Sequence, residues 1–260
     1  MSTPAPTCPP GHGLLAGKTV LVTAAAGTGI GFAVAKRCLE EGAAVLISDI
    51  HERRLAEAAE KLGASGGKPV ATALCNVTRE ADVQGLMAAA ERELGRIDVL
   101  VNNAGLGGYA RLRDMTDEQW GAVMDVTLNG TFRMTRAALR HMMPRRAGVI
   151  VNNASVLGWR AQEGQAHYAA AKAGVMALTR CAAIEAAEFG VRVNAVAPSI
   201  AIHAFLRKSA SEELLAQLAS REAFGRGAEP WEVANVMVFL ASDYSSYMTG
   251  EVVSVSSQRA

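Results

Sequence analysis

Short apolar runs rich in β-branched residues alternate along the chain with longer alanine-rich segments. Because the runs are continuously apolar, we expect strands that are buried on both faces. Their alternation with helices predicts parallel strands joined by right-handed crossovers. The predicted strands are Thr19–Thr23, Ala44–Ser48, Val70–Leu74, Val99–Val101, Val149–Asn152, Val191–Val196 and Val252–Val255. The predicted helices include Gly31–Glu41, Arg53–Leu62, Glu80–Leu94, Asp117–Met143, Tyr168–Ala187 and Pro230–Leu240.

This pattern favours one α/β domain over residues 14–260, with a doubly wound parallel sheet of about seven strands and helices on both faces. Ligands of such folds bind beyond the carboxyl ends of the strands, so the residues after each strand are the candidate functional positions. Residues 1–13 are rich in proline, threonine and glycine, and we predict a flexible leader there. They lack the basic start and the apolar stretch of a secretion signal.

The composition excludes several classes of function. Half of the 260 residues are apolar, which is enough for a sizeable core. The 26 basic and 25 acidic residues nearly cancel, which argues against a nucleic-acid partner. We find no apolar run long enough to cross a bilayer, which argues against a membrane partner. The cysteines are widely spaced, so we expect no disulfide, no metal site and a cytoplasmic location; they are Cys8, Cys38, Cys75 and Cys181.

The segment Thr23–Gly31, called the glycine loop below, joins the first predicted strand to the first predicted helix. Gly29 and Gly31 remove side chains where the backbone must approach a pyrophosphate and where the helix must pack on the strand. The helix N-terminus adds free N–H groups and a partial positive charge. An ordinary tight turn would also use glycines, so the loop alone leaves both interpretations open.

Asp49 lies at the end of the second predicted strand, about twenty residues after the glycine loop. A carboxylate there can accept hydrogen bonds from both hydroxyls of an adenosine ribose and repels a 2′-phosphate. We therefore favour NAD over NADP as the cofactor. Arg53 and Arg54 follow, but they fall at a helix start where solvation accounts for them. Asp49 could also serve as a turn or capping residue, although that role does not explain the spacing.

Small residues and amides follow the next two predicted strands. Asn76 and Val77 come after the third strand, and Asn103, Ala104 and Gly105 come after the fourth. Such residues would let the backbone pass close to an adenine and a second ribose. Either group alone would be an ordinary turn.

Ser155, Tyr168 and Lys172 have the chemistry of a carbonyl–alcohol hydride transfer. Tyr168 and Lys172 stand four residues apart and share one helix face. A tyrosine can supply the proton at the reacting oxygen, and a neighbouring ammonium is expected to lower its ordinary pKa of about 10. A serine can hold that oxygen as its charge changes. Each residue alone would be read as a cap or a surface contact; together, and in this order, they favour catalysis.

These motifs together resemble the short-chain dehydrogenase/reductase family over about residues 14–255. The resemblance implies a Rossmann-like fold, nicotinamide chemistry and a homotetramer. The matching segments are Thr23–Gly31, Asn102–Gly105, Ser155, Tyr168–Lys172, Asn194–Pro198, Gly225–Arg226, Pro230, Phe239–Ser242 and Thr249–Gly250. The implied cofactor-binding residues are Ala25, Gly27, Thr28, Gly29, Ile30, Gly31, Asp49, Asn76, Val77, Asn103, Ala104, Gly105, Tyr168, Lys172, Pro198, Ser199 and Ala201.

The chain departs from the family pattern at several site positions. The glycine loop is one residue longer than usual and has Ala25 in place of the first glycine, and Asn76 replaces an aspartate. The catalytic asparagine of the family falls at Thr127, which we expect to hold the proton-relay water through its hydroxyl or main chain. Ser199 replaces a glycine, and Ser256–Gln258 replaces a terminal Asp-Gly-Gly that often packs at a subunit interface or near the substrate.

The segment Ile200–Phe224 is the predicted substrate lid, with leucines at roughly helical spacing. A pocket with apolar walls and a basic rim would suit a bulky apolar substrate with an anionic group, such as a coenzyme A thioester. Packing on the sheet and solvation are the alternative roles of these residues, and His203 is read as a pocket or surface residue rather than a catalyst. The candidate substrate residues are Tyr109, Trp159, Arg160, His203, Phe205 and Arg207.

A closer resemblance is to actinobacterial reductases of steroid C/D-ring catabolism, carried by Trp159–Gln162, Ser199–Ala201, Ala241–Tyr247 and the glycine loop. It implies a ring alcohol or ketone of a hydrindane-carboxyl-CoA as the small-molecule substrate. A 3-oxoacyl thioester reductase is the enzymatic alternative. A nucleotide-binding scaffold or redox sensor without turnover is the alternative of another class, and the intact Ser–Tyr–Lys set argues against it.

Overall fold

The computed structural model describes residues 3–66, 69–203, 206 and 212–257, and within them seven parallel strands form one sheet. The strands are β1 (Thr19–Thr23), β2 (Ala44–Asp49), β3 (Ala71–Leu74), β4 (Val99–Asn102), β5 (Gly148–Asn153), β6 (Val191–Pro198) and β7 (Val252–Val255). The predicted parallel α/β sheet is confirmed, and the strand ends differ from the prediction by no more than two residues.

The spatial order of the strands, β3-β2-β1-β4-β5-β6-β7, places a topological switch between β1 and β4. Val20 pairs with Val45 of β2 on one side and with Val99 of β4 on the other. The two connections that leave this point run to opposite faces of the sheet, and a crevice opens above the carboxyl ends of the strands. The glycine loop and the residues after β4 and β5 meet there.

Helices cover both faces of the sheet, as predicted. They are α1 (Ile30–Glu40), α2 (Glu52–Gly66), α3 (Glu80–Leu94), α4 (Asp117–Met124), α5 (Gly130–Met142), α6 (Ala166–Ala187), α7 (Glu212–Ser220) and α8 (Pro230–Ala241). Short 3₁₀ turns occupy Leu112–Asp114, Met143–Arg145, Val156–Gly158 and Asp243–Ser245. None of the helices in the described ranges is long and apolar enough to cross a membrane.

The side chains of β1 alternate between two apolar cores. Val20 and Val22 pack with α1, α2 and α8 on one face, and Leu21 packs with α3, α5 and α6 on the other. All of these side chains are fully buried. The continuously apolar runs are thereby explained, because each strand contributes to both layers.

One predicted helix, Asp117–Met143, contains an irregular turn in the structure. A π-helical turn, Asp125–Asn129, separates α4 from α5, and the N–H of Gly130 donates to the Asp125 carbonyl five residues back. Gly130 also meets Val77 closely, since a β-carbon at Gly130 would lie 2.6 Å from Val77 Cγ2. The side-chain pattern contains no signal for this extra residue, because a single π turn leaves the amphipathic period on either side intact.

A buried ion pair at the end of α1 holds the N-terminal segment. Arg37 Nη2 donates to Glu41 Oε1 at 2.8 Å, and Glu41 Oε2 accepts the N–H groups of His12 at 2.8 Å and Leu14 at 3.0 Å. Arg37 Nη1 also donates to the carbonyl of Pro9 at 3.1 Å. The side chains of Arg37 and Glu41 are 6% and 1% exposed. The segment therefore supplies part of the hydrogen bonding that this pair needs in order to be buried.

The start of the N-terminal segment contacts the loop between α7 and α8. The N–H of Thr3 donates to the Phe224 carbonyl at 2.8 Å, and Arg226 Nε donates to the Thr3 carbonyl at 3.0 Å. Arg226 is itself fixed by two hydrogen bonds to the Glu232 carboxylate. These contacts anchor residues that we predicted as a flexible leader; its mobility stays a prediction.

Glu41→Gln tests this anchor. Burial alone would raise the pKa of Glu41, but hydrogen bonds from Leu14 and His12 and the Arg37 charge outweigh it and hold that pKa below 4.5. We expect the substitution to lower the free energy of unfolding by about 2 kcal/mol at pH 7, because it leaves a buried guanidinium short of a charge partner. The loss should shrink as the pH falls from 4.5, the ordinary pKa of the carboxyl group, toward its lowered folded-state pKa, at which the wild-type carboxylate also becomes neutral.

Denaturant unfolding of Glu40→Gln is the matched control, since Glu40 pairs with the same arginine but is 35% exposed. That change should cost less than about 1 kcal/mol. Equal costs for the two substitutions would contradict the anchoring role of Glu41.

Candidate active site

Ser155 and Tyr168 face each other at the carboxyl edge of the sheet. Ser155 follows β5, and its hydroxyl accepts the N–H of Leu157 at 3.2 Å at the start of a 3₁₀ turn. Tyr168 lies in the first turn of α6 and lines the same cavity as Ser155. Burial raises the pKa of the Tyr168 hydroxyl, and its interaction with Ser155 opposes the rise.

Lys172 lies one helical turn after Tyr168 and is 2% exposed. Its Nζ donates to the main-chain carbonyl of Asn153 and lies 5.5 Å from the centroid of the Tyr168 ring. Burial lowers the pKa of Lys172 to about 8. The lowering of the Tyr168 pKa by Lys172 stays a prediction, since burial is the larger influence on this hydroxyl and raises its pKa.

Thr127 lies in the π-helical turn with no exposed surface. Its hydroxyl accepts the N–H of Leu106 at 3.0 Å and donates to the Leu106 carbonyl at 3.1 Å. A β-carbon at Gly105 would lie 3.8 Å from that hydroxyl and 3.5 Å from Lys172 Nζ. Thr127 therefore stands beside the lysine, with its hydroxyl engaged by the loop after β4. Its carbonyl accepts the Thr131 hydroxyl at 2.8 Å.

The glycine loop turns through two unusual backbone conformations. Ala24 has a φ of 51° and Gly27 a φ of 127°, so the left-handed residue that opens the loop is an alanine. Ala25 is 1% exposed and packs in the core, so it can offer a ligand only its main chain. Gly29 begins α1 without a side-chain cap, which leaves the first N–H groups of the helix directed at the crevice. Thr28 is exposed beside them.

Close packing explains the last glycine of the loop. A β-carbon on Gly31 would lie 2.4 Å from Asn103 Nδ2 and 2.5 Å from the Ala24 carbonyl oxygen. Asn103 Nδ2 donates to that same carbonyl at 2.9 Å and to the Thr23 carbonyl at 3.2 Å. The absence of a side chain at Gly31 therefore lets the loop after β4 close on the glycine loop.

Asp49 is 8% exposed at the end of β2, and both of its carboxylate oxygens accept main-chain N–H groups. Oδ2 accepts from Ala26 at 3.2 Å, and Oδ1 accepts from His51 at 3.1 Å. Burial raises the pKa of Asp49, and these bonds together with the Arg54 charge oppose the rise. The carboxylate is thus tied to the glycine loop.

The remaining predicted cofactor residues lie along the same edge. The Asn76 side-chain oxygen accepts from Thr78, and Val77 is buried against α5. Pro198 ends β6, the N–H of Ser199 donates to Val255, and Ala201 forms a β-bridge with Ala228. The structure brings these positions to the crevice and leaves their contacts with a cofactor as a proposal.

Two residues that we did not single out connect the parts of the site. The Thr23 hydroxyl accepts the N–H groups of Asn103 at 3.0 Å and Ala104 at 3.1 Å. Asn153 Nδ2 donates to Asn103 Oδ1 at 3.0 Å, while the Asn153 carbonyl holds Lys172. Asn153 ends β5 two residues before Ser155, so its polar side chain at a strand end was an available signal.

The edge fits a nicotinamide dinucleotide. The loop at Gly31 has no room for a side chain, the N-terminus of α1 is uncapped, and Asp49 stands at the end of β2. Among the described residues, the buried Asn153 Oδ1 has no hydrogen-bond partner and so can accept from a bound ligand. A dinucleotide with its pyrophosphate on α1 would reach from Asp49 to Lys172.

A cavity of about 580 Å³, called the active-site cavity below, opens beside Ser155 and Tyr168. Its apolar lining comes mainly from Ile30, Val156, Leu157, Ile200, Leu206 and Leu218. Among the candidate substrate residues that the structure describes, Arg160 lines this cavity, whereas Tyr109, Trp159 and His203 lie outside its lining. Phe205 and Arg207, like Gln258, lie outside the described residues.

Two of these candidates have identifiable neighbours. The Tyr109 ring packs on Gly164, where a β-carbon would lie 2.3 Å from Cε2, and so joins the loop after β4 to the loop before α6. The His203 imidazole lies against the glycine loop, with Cε1 and Nε2 3.6 Å from a β-carbon built on Gly29. His203 thus contacts the glycine loop, where the pyrophosphate is predicted to bind.

Gly31→Ala tests the close approach of the two loops. The added methyl group must displace backbone at Ala24, so we expect an overpacking cost of about 1–3 kcal/mol and a loss of NADH affinity of tenfold or more, on the order expected for such strain. Fluorescence titration with NADH and thermal unfolding measure the two effects. Gly85→Ala in α3 is the control, because a β-carbon there meets nothing within 4 Å. Unchanged NADH affinity in Gly31→Ala would refute the assignment.

Comparison with known proteins places this geometry among oxidoreductases. A family model described as enoyl-(acyl carrier protein) reductase matches residues 24–257. A protein of Mycobacterium tuberculosis (strain ATCC 25618 / H37Rv) is 66% identical over 249 residues, which is 95% of each chain. It is named (5R,7aS)-5-hydroxy-7a-methyl-1-oxo-2,3,5,6,7,7a-hexahydro-1H-indene-carboxyl-CoA reductase.

A 3-oxoacyl-[acyl-carrier-protein] reductase of Thermotoga maritima is 41% identical over 241 residues, or 93% of this chain and 97% of that protein. Among solved structures, a short chain dehydrogenase from Mycobacterium smegmatis superposes with a TM-score of 0.88 at 60% identity and covers 99% of each chain. The similarity thus extends over nearly the whole chain.

Proposed function

The chain belongs to the short-chain dehydrogenase/reductase family, whose members use nicotinamide cofactors, and on this premise we propose a CoA-linked substrate. In this proposal the enzyme transfers a hydride between NAD(H) and a secondary alcohol or ketone on a bulky ring that is carried as a coenzyme A thioester. The proposed catalytic residues are Ser155, Tyr168 and Lys172.

The position of Ser155 and Tyr168 beside each other in the lining of one cavity is the observation that carries this proposal. A cavity of about 580 Å³ with leucine and isoleucine walls suits a fused-ring body better than a small polar substrate. The mycobacterial reductase at 66% identity, whose name specifies a bicyclic indene-carboxyl-CoA, supports the same substrate class.

A reduced nicotinamide bound at this edge would supply the hydride to the carbonyl carbon in ketone reduction. Tyr168 donates its phenolic proton to the carbonyl oxygen as the C=O π bond opens, and Ser155 hydrogen-bonds the same oxygen. Lys172, fixed by the Asn153 carbonyl, stabilises the phenolate that remains. Thr127 acts indirectly, through the main chain of Leu106. Its hydroxyl accepts the Leu106 N–H and donates to the Leu106 carbonyl, and so fixes this main chain beside Lys172.

We assign NAD rather than NADP to the site on the position of Asp49. Its bonds to Ala26 and His51 hold the carboxylate at the strand end, where a ribose 2′-hydroxyl can donate to it. A 2′-phosphate at that position would meet a buried negative charge. Arg53 and Arg54 line an open depression beside Ile50. In an enzyme that uses NADP, such arginines would bind the 2′-phosphate.

A homotetramer in the cytoplasm completes the proposal. Several large apolar side chains lie exposed on the outer helices and would be covered by subunit contacts; they are Trp120, Phe132, Ile184 and Phe239. All four cysteines are free thiols, which suits a reducing compartment.

Tyr168→Phe separates an enzyme from a scaffold. Removal of the proton donor should lower kcat by about 10²–10⁴ while the Kd for NADH stays within threefold. Tyr244→Phe is the matched control, because Tyr244 is 77% exposed and lies outside the lining of the active-site cavity. A scaffold or sensor would be indifferent to both substitutions.

The same assay, run with the wild-type enzyme, decides the substrate. We expect turnover of a bicyclic ketone carried as a coenzyme A thioester. Turnover of linear 3-oxoacyl thioesters alone would instead place the enzyme with the acyl reductases that the Thermotoga relative represents.

Asp49→Ala tests the cofactor assignment. Loss of the carboxylate should weaken NADH binding about tenfold or more and leave NADPH binding unchanged or improved, because one charge-assisted hydrogen bond and one repulsion are removed. Parallel fluorescence titrations give both constants, and Glu52→Ala in the adjacent first turn of α2 is the control. Equal weakening of both cofactors would overturn the assignment of NAD.

A further inference from the structure

Two arginines from distant parts of the sequence line the active-site cavity. Arg160 follows the 3₁₀ turn after Ser155, and Arg221 follows α7. Both residues are exposed, and neither guanidinium has a hydrogen bond or an ion pair within the described part of the chain. An arginine that lines a cavity without a carboxylate partner is available to an anionic ligand.

Other basic residues that the structure describes near this edge are already paired. Arg111 pairs with Glu163 at 3.0 Å, and Arg113 pairs with Asp114 at 3.2 Å. Arg226 is bound by two oxygens of Glu232. Within the described part of the chain, the unpaired positive charge of the cavity lining therefore lies on Arg160 and Arg221.

Among the described residues, the acidic residue of the cavity forms no ion pair with either arginine, and two arginines with one glutamate leave the cavity lining with a net charge of +1. Glu222 is 2% exposed, and its Oε2 accepts the Ser257 N–H at 3.1 Å and the Ser257 hydroxyl at 3.3 Å. The N–H of Ala223 also donates to the Ser257 carbonyl. The Glu222 carboxylate is thus bound by Ser257, which follows β7, and not by the neighbouring Arg221.

Arg221 lies on the side of its segment that faces the active-site cavity. Leu218 lines the cavity from α7, and the N–H of Arg221 donates to the Leu218 carbonyl at 3.2 Å, which continues the turn. Residues three apart on such a turn share a face. The apolar wall of the cavity therefore leads from Leu218 directly to a guanidinium.

We propose that Arg160 and Arg221 form an anion-binding subsite that holds the diphosphate of a coenzyme A thioester substrate. Two guanidinium groups can each bind phosphate oxygens with paired N–H donors. The ring would then lie on the apolar wall, with its ketone at Ser155 and Tyr168. This inference rests on the proposed function and names the residues that select the coenzyme A portion.

The test compares two thioesters of one bicyclic keto acid with the NADH-loaded enzyme. One thioester carries coenzyme A and the other carries N-acetylcysteamine, which has no phosphate. Arg160→Ala and Arg221→Ala should each raise the KM for the coenzyme A thioester about tenfold, with kcat within threefold. The KM for the phosphate-free thioester should stay within twofold, and Arg→Lys at either position should restore part of the loss.

Arg113→Ala is the matched control, because it removes one positive charge that is already paired. It should leave both KM values unchanged. If the enzyme reduces the coenzyme A thioester and Arg160→Ala and Arg221→Ala leave its KM unchanged, the subsite is wrong and the proposed function stands.

A binding measurement covers the case in which no coenzyme A thioester is reduced and the proposed function fails. Calorimetry with free coenzyme A and NADH-saturated protein needs no turnover, and NADH keeps the probe out of the adenosine site. Binding that the double variant Arg160→Ala/Arg221→Ala weakens at least tenfold supports the subsite. Binding that is absent, or equal in wild type and double variant, overturns it.

Discussion

The side chain of Asn103 holds together the carboxyl ends of three neighbouring strands, and the site depends on it. Its Nδ2 donates to the main chain at the end of β1, and its Oδ1 accepts from Asn153 at the end of β5. Because the Asn153 carbonyl in turn holds Lys172, one amide links the glycine loop to the catalytic lysine. This arrangement is possible because Gly31 has no side chain, which would otherwise collide with the Asn103 amide. Dinucleotide binding and proton transfer therefore share one hydrogen-bonded support.

Burial sets the electrostatics of the catalytic residues. Lys172 has a pKa of about 8 because it is buried, and the pKa of Tyr168 is raised for the same reason. Both shifts oppose charge, but a lysine with a pKa of about 8 still carries its proton at pH 7. In the proposed mechanism, charge that develops on Tyr168 would be stabilised by this ammonium and by Ser155, in a region where such interactions are strong.

The sequence was sufficient for the architecture and for predicting that Ser155, Tyr168 and Lys172 lie near one another, but not for the contacts between segments. Continuous β-branched runs indicate strands buried on both faces, and the structure has them within two residues of the predicted ends. The π turn around Thr127 was missed because a one-residue insertion leaves the helical period unchanged on both sides. Arg221 was missed because it comes 66 positions after Ser155 in the sequence, and only the folded chain brings both to one cavity.

The edge of the active-site cavity is where the chain closes on itself. Thr3, Phe224 and Ser257 form one hydrogen-bonded patch, in which Arg226 reaches Thr3 across 223 positions of sequence. Contacts of such separation carry the largest loop-closure entropy and are expected late in folding, after the local helices and the central strands. During synthesis the contacts of Ser257 cannot form until β7 has left the ribosome. This rim of the active-site cavity is thus expected to be among the last regions to become ordered.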